Sequence, residues 1–181
     1  MTALSHLSSS APRDQGCGRL TSAWEVLRQI PDPEVPAITL VELGIVRDLR
    51  LLEDGGDGVE VVLTPTYSGC PATELIQDQV REALARFGEV RITLQRSPAW
   101  TTDWISDEGR EKLRAYGIAP PGRCGAAAEQ PIRVVRRAPQ LQCPRCGSAQ
   151  TEQLSAFGST ACKSLFRCLA CREPFEYFKP I

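Results

Sequence analysis

Histidine is nearly absent: the chain of 181 residues has one, His6. A Ser-His-Asp triad, a Cys-His dyad or a His-ligated zinc enzyme needs imidazole at a cleft, and a lone histidine in a polar tail serves none of them. No apolar run reaches the ~20 residues that a membrane span requires. Residues 1–20 are rich in serine and have no apolar core of the signal-peptide kind, so they read as a disordered tail of a cytoplasmic protein. A phosphate-cradling glycine loop is also missing, because Gly55-Gly56 falls in a hairpin turn. The net charge of -1 gives no general reason to bind nucleic acid or membrane. Asp32, Glu34 and Glu42 suggest paired carboxylates for acid–base work, but no nucleophile is arranged beside them and proline-rich loops often carry acids for solubility. The expectation is a protein that is not an enzyme.

Cysteine, in contrast, is abundant, with eight in the chain. In a secreted chain that number would suggest disulfides. Here no export signal is visible and four of the eight fall in two C-x-x-C pairs, which points to metal in a reducing compartment. Charge is unevenly spread. Ile132 to Ile181 holds 8 Lys/Arg against 3 Asp/Glu, whereas Met1 to Pro131 holds 13 against 19. Two units with different surfaces follow from that asymmetry.

Local patterns support the same division. Ser22 with Glu25 fits a capping box, and Ala23, Val26, Leu27 and Ile30 continue as one helical face ended by Pro31 and Pro33. Ile45 to Leu52 and Val59 to Leu63 read as hairpin strands around a glycine-rich turn. Ala72 to Phe87 has an apolar stripe at helical period, with Pro71 before it and Gly88 after it. Val90, Ile92 and Leu94 alternate with polar residues as in a half-buried strand. Ser106 is placed to cap a helix that runs to Tyr116. Trp100 and Trp104 stand four apart, and core packing of at least one is expected. The resulting expectation is an α+β fold, helices on a small mixed sheet. The tail is 1–20, the main domain 21–118, a Pro/Gly/Ala-rich linker 119–140, and a four-cysteine unit 141–181.

Two places carry chemistry. Cys143, Cys146, Cys168 and Cys171 form two knuckles able to converge on one tetrahedral ion, with Gly147 suiting the tight turn. Zinc is the default ion and rubredoxin-type iron uses the same knuckle. A unit of about 40 residues has little core, so the metal should hold it folded. Cys70 lies between a strand and a helix, where free N–H groups and the helix dipole favour a thiolate, a nucleophile and soft ligand. The alternative is a cysteine buried at a tight turn. Cys162 is an extra thiol, a fifth ligand or redox partner by one reading and a filler inside the ribbon by the other. Cys17 and Cys124 lie in segments without pattern. Arg133, Arg136, Arg137 and Arg145 raise a nucleic-acid reading that the acidic first domain opposes.

Asp32-Pro33-Glu34-Val35-Pro36, Glu42-Leu43-Gly44-Ile45-Val46 and Thr64-Pro65 through Gly69-Cys70-Pro71-Ala72 resemble the MIP18-like family of small α/β iron–sulfur assembly factors. Ser97 through Ile105, Glu108-Gly109-Arg110, Leu113 to Pro120 and the cysteine knuckles are similar to the branch encoded with bacterial phenylacetyl-CoA epoxidase. The resemblance covers about Trp24 to Phe178. It implies an α/β sandwich with a zinc-ribbon-like extension and places Cys70 at the family's functional cysteine. Asp32, Glu34 and Thr66 then fall in the motif loops around it. It further implies an accessory role in phenylacetate degradation: Cys70 holds iron or an iron–sulfur cluster transiently, in a homodimer on one version. The partners are epoxidase components, first the ferredoxin-like reductase. The rival expectation is a structural subunit that scaffolds the oxygenase.

Overall fold

The computed structural model describes residues 12–52, 57–67, 69–122 and 141–181. The tail before residue 12, His6, the hairpin-turn residues 53–56 and the linker residues 123–140 lie outside them, with Cys124 and the arginines at 133, 136 and 137.

The first layer follows the sequence pattern closely. Helix α1 (Pro12–Leu27) leads to strands β1 (Val46–Leu51) and β2 (Gly58–Leu63), helix α2 (Thr73–Leu84), β3 (Glu89–Leu94) and α3 (Asp107–Tyr116). β1 pairs antiparallel with β2, and β2 pairs parallel with β3, giving a mixed sheet in the order β1-β2-β3. β2 is the central strand, and its run of Val59, Val61, Val62 and Leu63 is buried, as a strand covered on both faces requires. α2 is the crossover between the parallel strands β2 and β3. It turns Ile76, Val80 and Leu84 inward, one stripe at a spacing of four. Gly88 then closes the unit with φ +94, where a Cβ would stand 2.0 Å from the Asp57 carbonyl oxygen. Only glycine fits there.

One boundary differs from expectation. α1 begins at Pro12, so Ser22 and Glu25 are interior helix residues and no capping box forms. Pro12 at the first helical position is compatible with that start, since proline lacks the N–H that a first turn leaves unused. The helix at Ser106 behaves as expected. Its hydroxyl accepts the Gly109 N–H at 2.9 Å, ahead of Asp107 and Glu108 in the first turn. Ser106→Ala is expected to lower stability by about 1 kcal/mol, read as a shifted urea midpoint at unchanged slope; an unmoved midpoint would mean the cap is silent.

The second layer is a four-stranded sheet in the order β4-β7-β6-β5, built from β4 (Ile118–Ala119), β5 (Thr151–Ser155), β6 (Lys163–Cys168) and β7 (Pro174–Phe178). β5, β6 and β7 are antiparallel neighbours, and β4 pairs parallel with β7. Ala119, assigned to the linker by composition, therefore belongs to the ribbon sheet. Phe166 anchors a small core with Leu141, Phe175 and Tyr177, and its ring stands 5.9 Å from Phe175 and 5.8 Å from Tyr177.

The layers are joined. Phe178 of β7 packs in the first domain's core, 5.9 Å from the ring of Trp100. Trp100 is buried and its indole N–H donates to the Leu43 carbonyl at 3.1 Å. Trp104 is half-buried under the Arg47 guanidinium, 3.5 Å from its ring centre. The Thr101 hydroxyl and the Thr102 N–H both donate to the Ile181 carbonyl oxygen, at 2.9 and 3.2 Å. Cys162 also corrects expectation. It does not fill the ribbon but packs in the first domain's core, because the turn before β6 points it there.

Candidate metal centre and cysteine site

The knuckle is built from two turns. The Cys143 N–H donates to the Ser148 carbonyl and the Gly147 N–H to the Cys143 carbonyl, both at 2.9 Å. The second turn has the Cys168 N–H on the Glu173 carbonyl and the Arg172 N–H on the Cys168 carbonyl, both at 3.0 Å. Each turn ends one residue past its second cysteine in a left-handed conformation, Gly147 at φ 75 and Arg172 at φ 67. Glycine adopts it freely, and arginine pays about 1 kcal/mol for it. The four sulfur atoms lie within 4.8 Å of one another. Cys143 and Cys171 Sγ are 3.7 Å apart, and Cys146 and Cys168 Sγ are 3.5 Å apart. A tetrahedron with metal–sulfur bonds of about 2.3 Å has edges of about 3.8 Å, so the thiols fit a zinc-sized ion. The Cys171 N–H donates to Cys168 Sγ at 3.5 Å. With the Ala170 N–H it holds that thiol down to about 6, ready to ligate as a thiolate. A closed set of four sulfurs is the chemistry of a structural site, with no position left for substrate.

Cys70 occupies a different environment. It is half-buried in the turn from β2 to α2, and its carbonyl accepts the Thr73 hydroxyl at 2.8 Å and the Thr73 N–H at 3.2 Å. Asp32 is buried at the entry of the proline loop, where its carboxylate accepts the N–H of Glu34 at 2.9 Å and of Val35 at 2.8 Å. That turn is the reason for Asp at this position: a short carboxylate two residues ahead ties the proline loop into one shape. Burial pushes the Asp32 carboxyl above its ordinary range, against those two N–H groups and Lys163. Glu34 is raised by burial and by Asp32.

Cys70 is raised as well, by burial first, with Glu34 and Asp32 adding to it and the Ala72 N–H and Thr73 opposing. The helix N-terminus expected to favour a thiolate is therefore outweighed by desolvation and two acids. Thr66 is buried one residue before Tyr67. Both line a cavity of about 230 Å³ with Thr64, Arg96, Trp100 and Ile181. The Thr64 hydroxyl is buried and finds no partner among the described residues. Thus Asp32 and Glu34 act on Cys70, while Thr66 lines the neighbouring cavity with Tyr67. Glu42 does not join them: it accepts the Thr39 N–H at 2.9 Å and pairs with Lys112 at 2.5 Å, fastening α3 to the loop.

Sequence patterns gave no sign of Lys163. Its side chain is 3% exposed and pairs with Glu176 at 2.9 Å. It also acts on Asp32 and Glu34, so a ribbon cation faces the acids of the first domain. The only available signal was a lysine directly after Cys162, and no periodicity marks such a residue as buried.

Comparison with known proteins reproduces this two-part architecture. Residues 21–93 match the family described as iron-sulfur cluster assembly protein, and residues 127–179 match the PaaD zinc beta ribbon domain. A crystal structure of a domain of unknown function from Bacillus anthracis superposes with a TM-score of 0.50 at 22% identity. It covers 56% of this chain and 96% of that one, and so shares the fold of the first layer. The Fe-S protein maturation auxiliary factor YitW of Bacillus subtilis is 39% identical over 83 residues, 44% of this chain and 78% of its own length. A protein of Escherichia coli K12 named for one component of 1,2-phenylacetyl-CoA epoxidase is 49% identical over 160 residues, 87% of this chain and 91% of its own. With both layers, the four-thiol knuckle and that extended identity in place, the chain belongs to the PaaD family, MIP18-like iron–sulfur assembly proteins with a C-terminal zinc ribbon.

Proposed function

We propose that this chain is an accessory maturation factor for phenylacetyl-CoA epoxidase in phenylacetate catabolism, assisting assembly or transfer of iron–sulfur clusters, and is not itself an enzyme. One observation carries the reading. The chain keeps two kinds of thiol apart: a closed four-sulfur knuckle that suits a resident zinc, and a half-exposed Cys70 beside Asp32 and Glu34. Soft sulfur next to hard carboxylate oxygen suits iron as cargo. A site with few ligands per chain leaves the cargo under-ligated, which favours hand-over and is met in part by a second copy of the chain. The names of the E. coli and B. subtilis relatives support the same role.

In this reading residues 21–118 form the cargo domain and 141–181 the zinc ribbon, whose sheet Ile118 and Ala119 extend, with the linker within 120–140. The excess of Lys and Arg beyond Ile132 suits an acidic client, and the epoxidase's ferredoxin-like reductase is the first candidate. Among the described residues no helix is long and apolar enough to cross a membrane, and the cytoplasm is the proposed location. A scaffolding subunit is the second reading, favoured by the exposed Leu154, Phe157 and Leu169 on the ribbon. The test is Cys70→Ser. A carrier predicts loss of iron and sulfide from the client with the variant's fold and zinc intact. Unchanged client clusters, together with stable stoichiometric co-purification, would select the scaffold.

A further inference from the structure

We infer that the cavity between α3 and the first knuckle is a binding site for a small organic monocarboxylate, with Arg110 as the positive charge that holds it. The site is separate from Cys70, and the inference does not depend on the carrier reading. The cavity has a volume of about 560 Å³, within the range of small-molecule sites, and it lies where the two domains meet. One wall is a face of α3. Asp107, Arg110, Glu111 and Arg114 line it, at the spacing of three and four that puts residues on one side of a helix. A second wall comes from Leu141 and the first knuckle, with Cys143 and Pro144. Pro120 and Pro121, which follow β4, also line it.

Arg110 is the charge that this arrangement leaves unanswered. It is 8% exposed. Its two terminal nitrogens donate to the carbonyls of Pro121 at 2.5 Å and Thr102 at 2.6 Å, and its Nε is buried with no partner among the described residues. Both partners are neutral, and among the described residues no carboxylate pairs with the guanidinium. A charge withdrawn from water is costly unless a counter-charge offsets it. The acids on the same helix face are already committed: Glu111 accepts from Arg114 at 2.5 Å, and Asp107 has an interaction of its own. From β4 and the knuckle the lining carries no Asp, Glu, Lys or Arg, and Cys143, its one ionisable group, is committed to the knuckle. One uncompensated positive charge calls for one negative charge. A carboxylate supplies it in a planar group that matches a guanidinium. A phosphate dianion brings a second negative charge, which Asp107 and Glu111 oppose. The prolines and Leu141 offer apolar surface, so the acid carries an aliphatic body.

The experiment titrates full-length, zinc-loaded protein with hexanoate, hexanamide and inorganic phosphate by calorimetry, and follows backbone hydrogen exchange at saturation. Wild type should bind one hexanoate per chain, at least about ten-fold more tightly than phosphate or hexanamide, which has the same body without the charge. Exchange should slow within 107–122 and 141–147 and stay unchanged in α2, which begins beside Cys70. Arg110→Met, its fold checked by circular dichroism, should lose the preference for hexanoate over hexanamide. The wild-type measurements decide the matter even where that variant does not fold. No saturable binding of hexanoate, equal affinity for hexanamide, tighter binding of phosphate, or slowed exchange confined to other segments overturns the inference. So does an Arg110→Met variant that folds and keeps the wild-type preference. None of these results bears on iron held by Cys70, which the Cys70→Ser experiment tests separately.

Discussion

Removing the knuckle metal is expected to unfold the ribbon while the first domain keeps its sheet. The ribbon core is small: Leu141, Phe166, Phe175 and Tyr177 with the buried knuckle thiols Cys143 and Cys168. A structural four-thiolate zinc is worth about 10 kcal/mol or more of folding free energy in isolated units, far above what those few side chains supply against chain entropy. The first domain has its own larger core around Val59, Val61, Val80 and Leu84 and does not need the metal. Hydrogen exchange after chelation should therefore show β5, β6 and β7 losing protection while β1, β2 and β3 keep theirs. Cys168→Ser should do the same, because its sulfur is fully buried in the knuckle. The damage should spread to Asp32 and Glu34, since Lys163, which acts on both, arrives on the ribbon, as does Phe178 beside Trp100. Retained protection in the ribbon strands of metal-free protein would show that docking on the first domain is enough to hold it.

Much of this architecture was legible in the sequence because it rests on local rules. The crossover from β2 through α2 to β3 was written in one apolar stripe and one alternating run. Ser106 announced its helix, and the two C-x-x-C pairs announced the knuckle. What stayed hidden was long-range. The strands of the ribbon carry no clean alternation, since β5 has no buried residue and β6 is buried at Lys163, Ser164, Phe166 and Cys168. The start of α1 was missed because glycine, cysteine and polar residues at 12–21 give no helical stripe, and packing of Ala23 and Leu27 decides the matter further along. The placement of Cys162 depends on β6 and β7 docking beside Trp100, which no spacing within the ribbon encodes. The low affinity of Cys70 for a negative charge was hidden for a similar reason: it depends on burial and on Asp32 and Glu34, residues almost 40 positions away.

Glu176→Gln is expected to destabilise the protein by about 3 kcal/mol, among the largest effects of any single substitution outside the knuckle. The Lys163 ammonium is almost fully enclosed, and Glu176 is its salt-bridge partner at 2.9 Å. Removing one member of such a pair leaves an uncompensated buried charge, which costs about 3–5 kcal/mol, whereas the pair as a whole contributes little. Glu176 also accepts the Ser159 N–H, so the neutral amide weakens the turn that carries Cys162. The double variant Lys163→Met with Glu176→Gln should then recover much of the loss, which distinguishes a stranded charge from simple loss of packing. Acid should act in the same direction. Burial would raise the Glu176 carboxyl, but the Ser159 N–H and Lys163 outweigh it and hold it below the ordinary glutamate range. Its contribution is therefore complete above the ordinary range and is lost as pH falls through the lowered folded-state value. Wild-type stability should decline there more steeply than that of Glu176→Gln; parallel declines would mean that the pair contributes nothing.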